Sequence, residues 1–231
     1  RKVNLTVAEV GGANTTVVPA QNAAYTVFTV TNNSNETLDF GLGASDQVGG
    51  AAPHSGTDNF NPSANSVFVD ANANGTYESG TDTATYIDEL AGNGGSKTVF
   101  IVSNISNTQV NDDVAAVILT ATAKEGGTAA TEGSAVTETA GAEDKDTKDT
   151  VFADGDGDND VARDGKHADT DAYKVITATI LIDKISKVVS DPTNGTSNPK
   201  RIPGAVVEYI IRVRNTGAVS ANSLVITDTI P

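Results

Sequence analysis

The chain has 231 residues, no Cys, Met or Trp, and a formal net charge of −15 with a pI near 4.3. The missing Cys excludes disulfides, thiolate nucleophiles and thiolate metal sites, and so acidic a surface repels nucleic-acid phosphates and anionic lipid. Apolar content of 38%, carried mainly by Val, Ala and Ile with 5% aromatics, predicts a secreted all-β protein with long Gly-, Asn- and Thr-rich loops.

In chain order, Lys2–Val10 alternates polar and apolar, with Val3, Leu5 and Val7 on one side. Tyr25–Asn32 puts Val27 and Val30 near the centre of a strand, and the turn formers NNSNE follow. Thr37–Gly43 supplies Leu38, Phe40 and Leu42. SVFVD from Ser66, TATYIDEL from Thr83, KTVFIVSN from Lys97 and VAAVILTATA from Val114 bring the strands to about seven. No segment has the period and length of a long amphipathic helix. Number and spacing predict an immunoglobulin-like β-sandwich. The apolar run from Val114 is shorter than the roughly 18 residues of a membrane helix, so no membrane insertion is expected. Without any Met, the natural start is expected to lie outside this stretch.

After Ala123 the pattern breaks. Residues 124–150 are low in large apolar side chains and cannot bury enough surface to offset their ordering entropy. With the Asp-rich run after them they read as one acidic loop insertion of about residues 124–172. Pattern returns at AYKVITATILIDKISKVV from Ala172, with one domain passing into the next near Ile182–Lys184. The expected domains are therefore 1–182, a sandwich with the insertion, and 183–231, a partial second module. A unit of fewer than about 50 residues without disulfide or metal is marginal, and its outer strands would present unpaired backbone groups.

Residues 184–231 carry IPGAVVEYIIRVRNTG from Ile202, small residues after it, and a closing ITDTIP from Ile226. This segment resembles the domain-of-unknown-function-11 repeat of bacterial and archaeal surface proteins, broken off about halfway. Residues 151–180 are similar to the segment that leads into that repeat, and residues 1–40 to a related upstream module. The resemblance implies an immunoglobulin-like fold and extracellular display in tandem arrays. It implies no catalytic residues.

Two acidic stretches are candidate cation loops. In DANANGTYESGTD, Asp70, Asn72 and Asn74 place side-chain oxygens at alternate positions before Gly75, as in the first half of an EF-hand-like calcium loop. Thr76 would add its carbonyl, and Glu78 or Asp82 would close the shell. No Glu stands at the twelfth place, and the alternative is a metal-free Asn/Gly hairpin loop. In VFADGDGDNDVARDGKHADTD, Asp154, Asp156, Asp158, Asp160 and Asp164 form the second set. Carboxylates about 4 Å apart repel by roughly 1 kcal/mol in water, so such a run either stays solvated or folds around a cation. Oxygen ligands without His or Cys select calcium.

No nucleophile elbow is present, and the only two histidines, His54 and His167, read as bland surface loop residues. The expectation is a non-enzymatic extracellular structural protein, a subunit or repeat of a filament, stalk or adhesin. Copies would join head to tail by β-strand complementation and calcium would stiffen them. Either the first ten residues or the low-complexity segment would be the donor. The alternative is a calcium-dependent module for a cell-surface or glycan partner, which lacks an evident aromatic platform.

Overall fold

The computed structural model describes residues 1–143 and 145–229, which hold thirteen strands and no helix. The protein is all-β. Two compact units meet in sequence at Val175 and Ile176.

The first unit contains β1 (Lys2–Val3), β2 (Leu5–Glu9), β3 (Thr15–Val17), β4 (Ala24–Asn32), β5 (Leu38–Asp46) and β6 (Ser63–Val69). After them come β7 (Tyr86–Leu90), β8 (Gly95–Asn104), β9 (Val114–Glu125), β10 (Val151–Phe152) and β11 (Lys166–Val175). One sheet has the order β2-β4-β8-β6 and the other β3-β11-β9-β5-β7, while β1 pairs with β10. The first two strands thus complete this chain's own sheets.

Period-two alternation builds the core between the two sheets. Leu5 and Val7, Phe28 and Val30, Val99 and Ile101, then Ala115, Val117, Leu119 and Ala121 are all buried in one cluster with Tyr173 and Val175. Burying a side chain of Val to Phe size contributes about 1.5–3 kcal/mol. Tyr173 ties the layers together. From β11 its hydroxyl reaches the opposite sheet, 3.0 Å from the Ile101 carbonyl and 3.2 Å from Ser103 Oγ. Burial pushes its pKa up to about 12.

Lys166–Asp171, which the sequence assigned to the acidic insertion, is instead the first half of β11. It lies antiparallel to β9, with Lys166 opposite Thr122 and Asp171 opposite Val117. Its polar residues have work in the fold. His167 Nδ1 accepts the Val7 N–H at 3.2 Å and Asp169 Oδ2 accepts the Glu9 N–H at 2.6 Å. Strand β2 ends its sheet, so these side chains satisfy amides that would otherwise form an open edge.

The described residues of 126–150 form no strand, yet they are fastened. Ala135 bridges Lys124, and Val136 is 7% exposed within the core. Asp39 accepts the Gly133 N–H, Asp88 the Ala130 N–H and Glu89 the Gly127 N–H. Carboxylates here take the place that ladder partners have in a strand.

The second unit holds β12 (Ile180–Ser190) and β13 (Val206–Asn215), an antiparallel ribbon. The changeover expected near Ile182–Lys184 therefore falls inside a single strand. One face of the ribbon carries Ile182, Val188, Val207, Tyr209, Ile211 and Val213 with Lys184 and Ser186 among them, and the other mixes Asp183, Lys187, Glu208, Arg212 and Arg214 with Leu181, Ile185 and Ile210.

Candidate functional site

The loop between β6 and β7 brings most of its candidate ligands together. Asp70 and Asp82 are each 1% exposed. Asp70 accepts the N–H groups of Asn74 and Gly75 through its two oxygens, at 3.3 and 2.8 Å. Asp82 does the same for Ala71 and Glu78, at 2.9 and 2.7 Å. Glu78 Oε2 receives Nδ2 of both Asn72 and Asn74, at 2.7 and 3.0 Å. The turn needs Gly75 in the left-handed region, where φ is +74°. Thr76 donates its N–H to Asn74 Oδ1. Asp70, Asn72, Asn74, Glu78 and Asp82 are therefore joined in one hydrogen-bonded loop, with Asp70 and Asp82 buried and the other three exposed.

Tyr77, inside this loop, is what anchors it. Its ring stacks on Phe68 at 5.3 Å between centroids, and lies 6.0 Å from both Phe100 and Tyr25. Tyr25 and Phe68 come from β4 and β6, so the loop is held against its sheet by aromatic contacts worth about 0.5–1.5 kcal/mol per pair beyond area burial. Sequence reading assigned Tyr77 no role. Its signal was an isolated aromatic in an otherwise polar run.

The second loop is held by hydrogen bonds, although most of its residues are exposed. Asp154 is 3% exposed and accepts the N–H groups of Asp164 and Gly165, each at 3.1 Å. Asp156 accepts the Ala162 N–H at 2.7 Å. Asp158 donates its backbone N–H to the Ala168 carbonyl, which lays the run along β11. A Cβ on Gly157 would stand 2.4 Å from that carbonyl oxygen, so only Gly fits there. Asp160 Oδ2 is buried without a hydrogen-bond partner, and its carboxyl is held above the usual range by burial and then by Asp164. Asp164 has a competing cation, since Lys166 Nζ lies 3.5 Å away.

His54 is an exposed loop residue, as expected, whereas His167 is not in a loop. His167 lies on β11 and caps β2. His54 Nε2 lies between two carboxylates, 3.6 Å from Glu9 Oε2 and 3.7 Å from Asp171 Oδ1. Burial pushes the Asp171 carboxyl up to about 6. The signal for this grouping was present in HADTDAY, where residues 167, 169, 171 and 173 alternate onto one side of a strand.

Among the described residues no helix is long and apolar enough to cross a membrane. No family model matches the chain and no curated protein matches it.

Proposed function

We propose that this protein is a structural element of the cell exterior. It combines an immunoglobulin-like sandwich carrying an acidic insertion with a partial module of the domain-of-unknown-function-11 type. Copies assemble head to tail into filaments by strand complementation, and calcium stiffens them.

One observation supports this reading above the others. The β12–β13 ribbon has a mainly apolar face made by Ile182, Val188, Val207, Tyr209, Ile211 and Val213, with Lys184 and Ser186 between them. Within its own unit Ile182 remains 59% exposed and Tyr209 38%. A two-stranded ribbon is marginal in water, and an amphipathic sheet buries its apolar side against a second layer. Val225–Asp228 runs beside it, fastened by Lys184 Nζ to Asp228 at 2.6 Å. Between them lies a groove of about 360 Å³ lined by Ile182, Ile211, Val225 and Ile226. An extended segment of a neighbouring copy fits such a groove, adding backbone hydrogen bonds at the strand edge and apolar side chains on the face.

Calcium suits both loops. Their donors are oxygens, and a divalent cation would relieve the like charge that Asp164 places beside Asp160. The partnerless Asp160 Oδ2 is a ligand position already buried. In the other loop Asp70, Asn72, Asn74, Glu78 and Asp82, with the Thr76 carbonyl, would supply the shell. Turning the Asn72 and Asn74 amides over would present Oδ1 where Nδ2 now meets Glu78.

The test is sedimentation and negative-stain microscopy of the full chain with and without calcium, beside a Tyr209→Lys/Ile211→Lys double variant. Calcium-promoted fibres that the double variant cannot form are expected. A chain that remains monomeric at high concentration with calcium rejects the reading.

A further inference from the structure

Three side chains from distant parts of the sequence meet at one end of the first unit. Glu9 closes β2, and the Gly12 N–H steadies its Oε2 at 3.2 Å. Asp171 lies within β11, and its Oδ1 accepts the N–H of Ala172 at 2.7 Å. His54 stands on the loop after β5, which the Ala51–Thr57 bridge closes and which packs through Ala52 on Val114, Ala116 and Ala172. Their ligand atoms all lie within 4.8 Å of one another.

The geometry and the charge both call for a further cation. His54 Nε2 is 3.6 and 3.7 Å from the two carboxylate oxygens, too far for a hydrogen bond to either. Donors bound to one metal at roughly 2.0–2.2 Å in a tetrahedral array stand about 3.3–3.6 Å apart, which is close to these spacings. Asp171 is 2% exposed, and among the described residues its only basic neighbour within ion-pair distance is His54. Glu9 and Asp169 add like charge beside it. A buried carboxylate in such company is ordinarily paired or metal-bound. The loop carrying His54 is held from the other side by Asn14, whose Nδ2 donates to the carbonyl of Ser55 at 3.1 Å.

We propose that Glu9, His54 and Asp171 form a binding site for a borderline transition dication, Zn²⁺ in the first instance. One imidazole with two carboxylates is a mixed nitrogen and oxygen set that suits zinc, in contrast to the oxygen-only loops that suit calcium. A bound ion would fasten β2, β11 and the loop carrying His54 to one point, with an open position left for water or a fourth ligand.

The full chain, stripped with chelator and returned to excess calcium so that oxygen-only sites are filled, is titrated with ZnCl₂ by calorimetry. The imidazole resonances are followed by long-range ¹H–¹⁵N NMR. Saturable binding of a single equivalent is expected, with the His54 ring nitrogens shifting and those of His167 unmoved. His54→Asn keeps a residue that tolerates the left-handed φ of +68° at this position. It and Glu9→Gln are each expected to weaken zinc binding by at least about tenfold. Absence of saturable binding overturns the proposal. So does a shift at His167 in place of His54, or an affinity that both variants leave unchanged. Should either variant unfold, the ring shifts of the unmodified chain decide the matter alone.

Discussion

The two units use the same alternation and reach opposite results. In the first, Phe28 on β4 and Tyr173 on β11 come from different sheets and are both wholly buried. In the second, Ile182 on β12 and Tyr209 on β13 alternate just as regularly, yet stay 59% and 38% exposed. Period two decides which side chains share a face, but burial requires a second layer facing them. A strand pattern is therefore a statement about one sheet, and a core is a statement about two.

The sharpest way to break that comparison is to truncate an apolar side chain in each unit. Phe28→Ala removes a ring from the packed core and is expected to cost about 3–5 kcal/mol. Ile210→Ala, in a ribbon where that side chain is 37% exposed, is expected to fall within about 0.5 kcal/mol. Urea unfolding of the monomeric chain, followed by intrinsic tyrosine fluorescence and amide exchange, reads both. Equal losses would mean that the ribbon has a core of its own.

A buried charge sharpens the same contrast within the first unit. The Asp171 carboxyl titrates at about 6 in the folded chain against an ordinary 3.8, chiefly because burial disfavours its charged form. A raised carboxylate pKa favours folding below the unfolded value, and that contribution disappears as pH climbs through the folded one. The span corresponds to about 3 kcal/mol. In metal-stripped protein, Asp171→Asn is expected to gain stability over the unmodified chain as pH rises from about 4 to 7, and to gain little at the acid end. A constant difference across that range, measured by thermal melting, would show that Asp171 does not carry this charge.

Calcium removal comes next in size. At a free concentration a hundred times the dissociation constant, one ion contributes about 2.7 kcal/mol. Chelator is expected to lower the melting temperature of the first unit. Glu78→Gln and Asp156→Asn, both on exposed residues, are each expected to remove part of the calcium response, read as the difference between calcium-loaded and chelated protein of the same variant. If neither variant alters the response, these loops are hydrogen-bonded turns and nothing more.

How much of this could be read in the sequence follows from what each residue touches. Strands with large apolar residues on one side, such as Leu5 and Val7 or Leu38 and Phe40, were legible because hydrophobic alternation is itself the cause of their burial. The start of β11 was not. His167, Asp169 and Asp171 alternate as strictly, but their partners are backbone amides and another side chain, which no hydropathy pattern encodes. The same holds for Asp39, Asp88 and Glu89, whose contacts to residues 127–133 depend on strands far away in sequence. The spacing of Asp70, Asn72, Asn74, Glu78 and Asp82 was legible, and these residues are joined by hydrogen bonds within one loop. Tyr77 was not, because its stacking partners lie on β4, β6 and β8.

The smallest expected effect lies in the second unit, and it runs opposite in sign to Asp171. Asp191 accepts backbone N–H groups from Thr193, Asn194 and Lys200, which fold the turn after β12 around one carboxylate. Those amides, Asn194 foremost, hold its pKa down at about 2 against an ordinary 3.8. A depressed pKa means that the turn is favoured above the unfolded value and is lost as pH falls through the folded one. Among its described residues this unit has no buried hydrophobic cluster, and order rests on local contacts of this kind. Asp191→Ala is therefore expected to speed amide exchange at Thr193, Asn194 and Lys200 while leaving the melting of the first unit untouched. In the unmodified chain, protection at those amides should persist from neutral pH down to about 3 and fail near 2. Protection that survives Asp191→Ala would show that something other than this carboxylate orders the turn, and so that the ribbon has tertiary support after all.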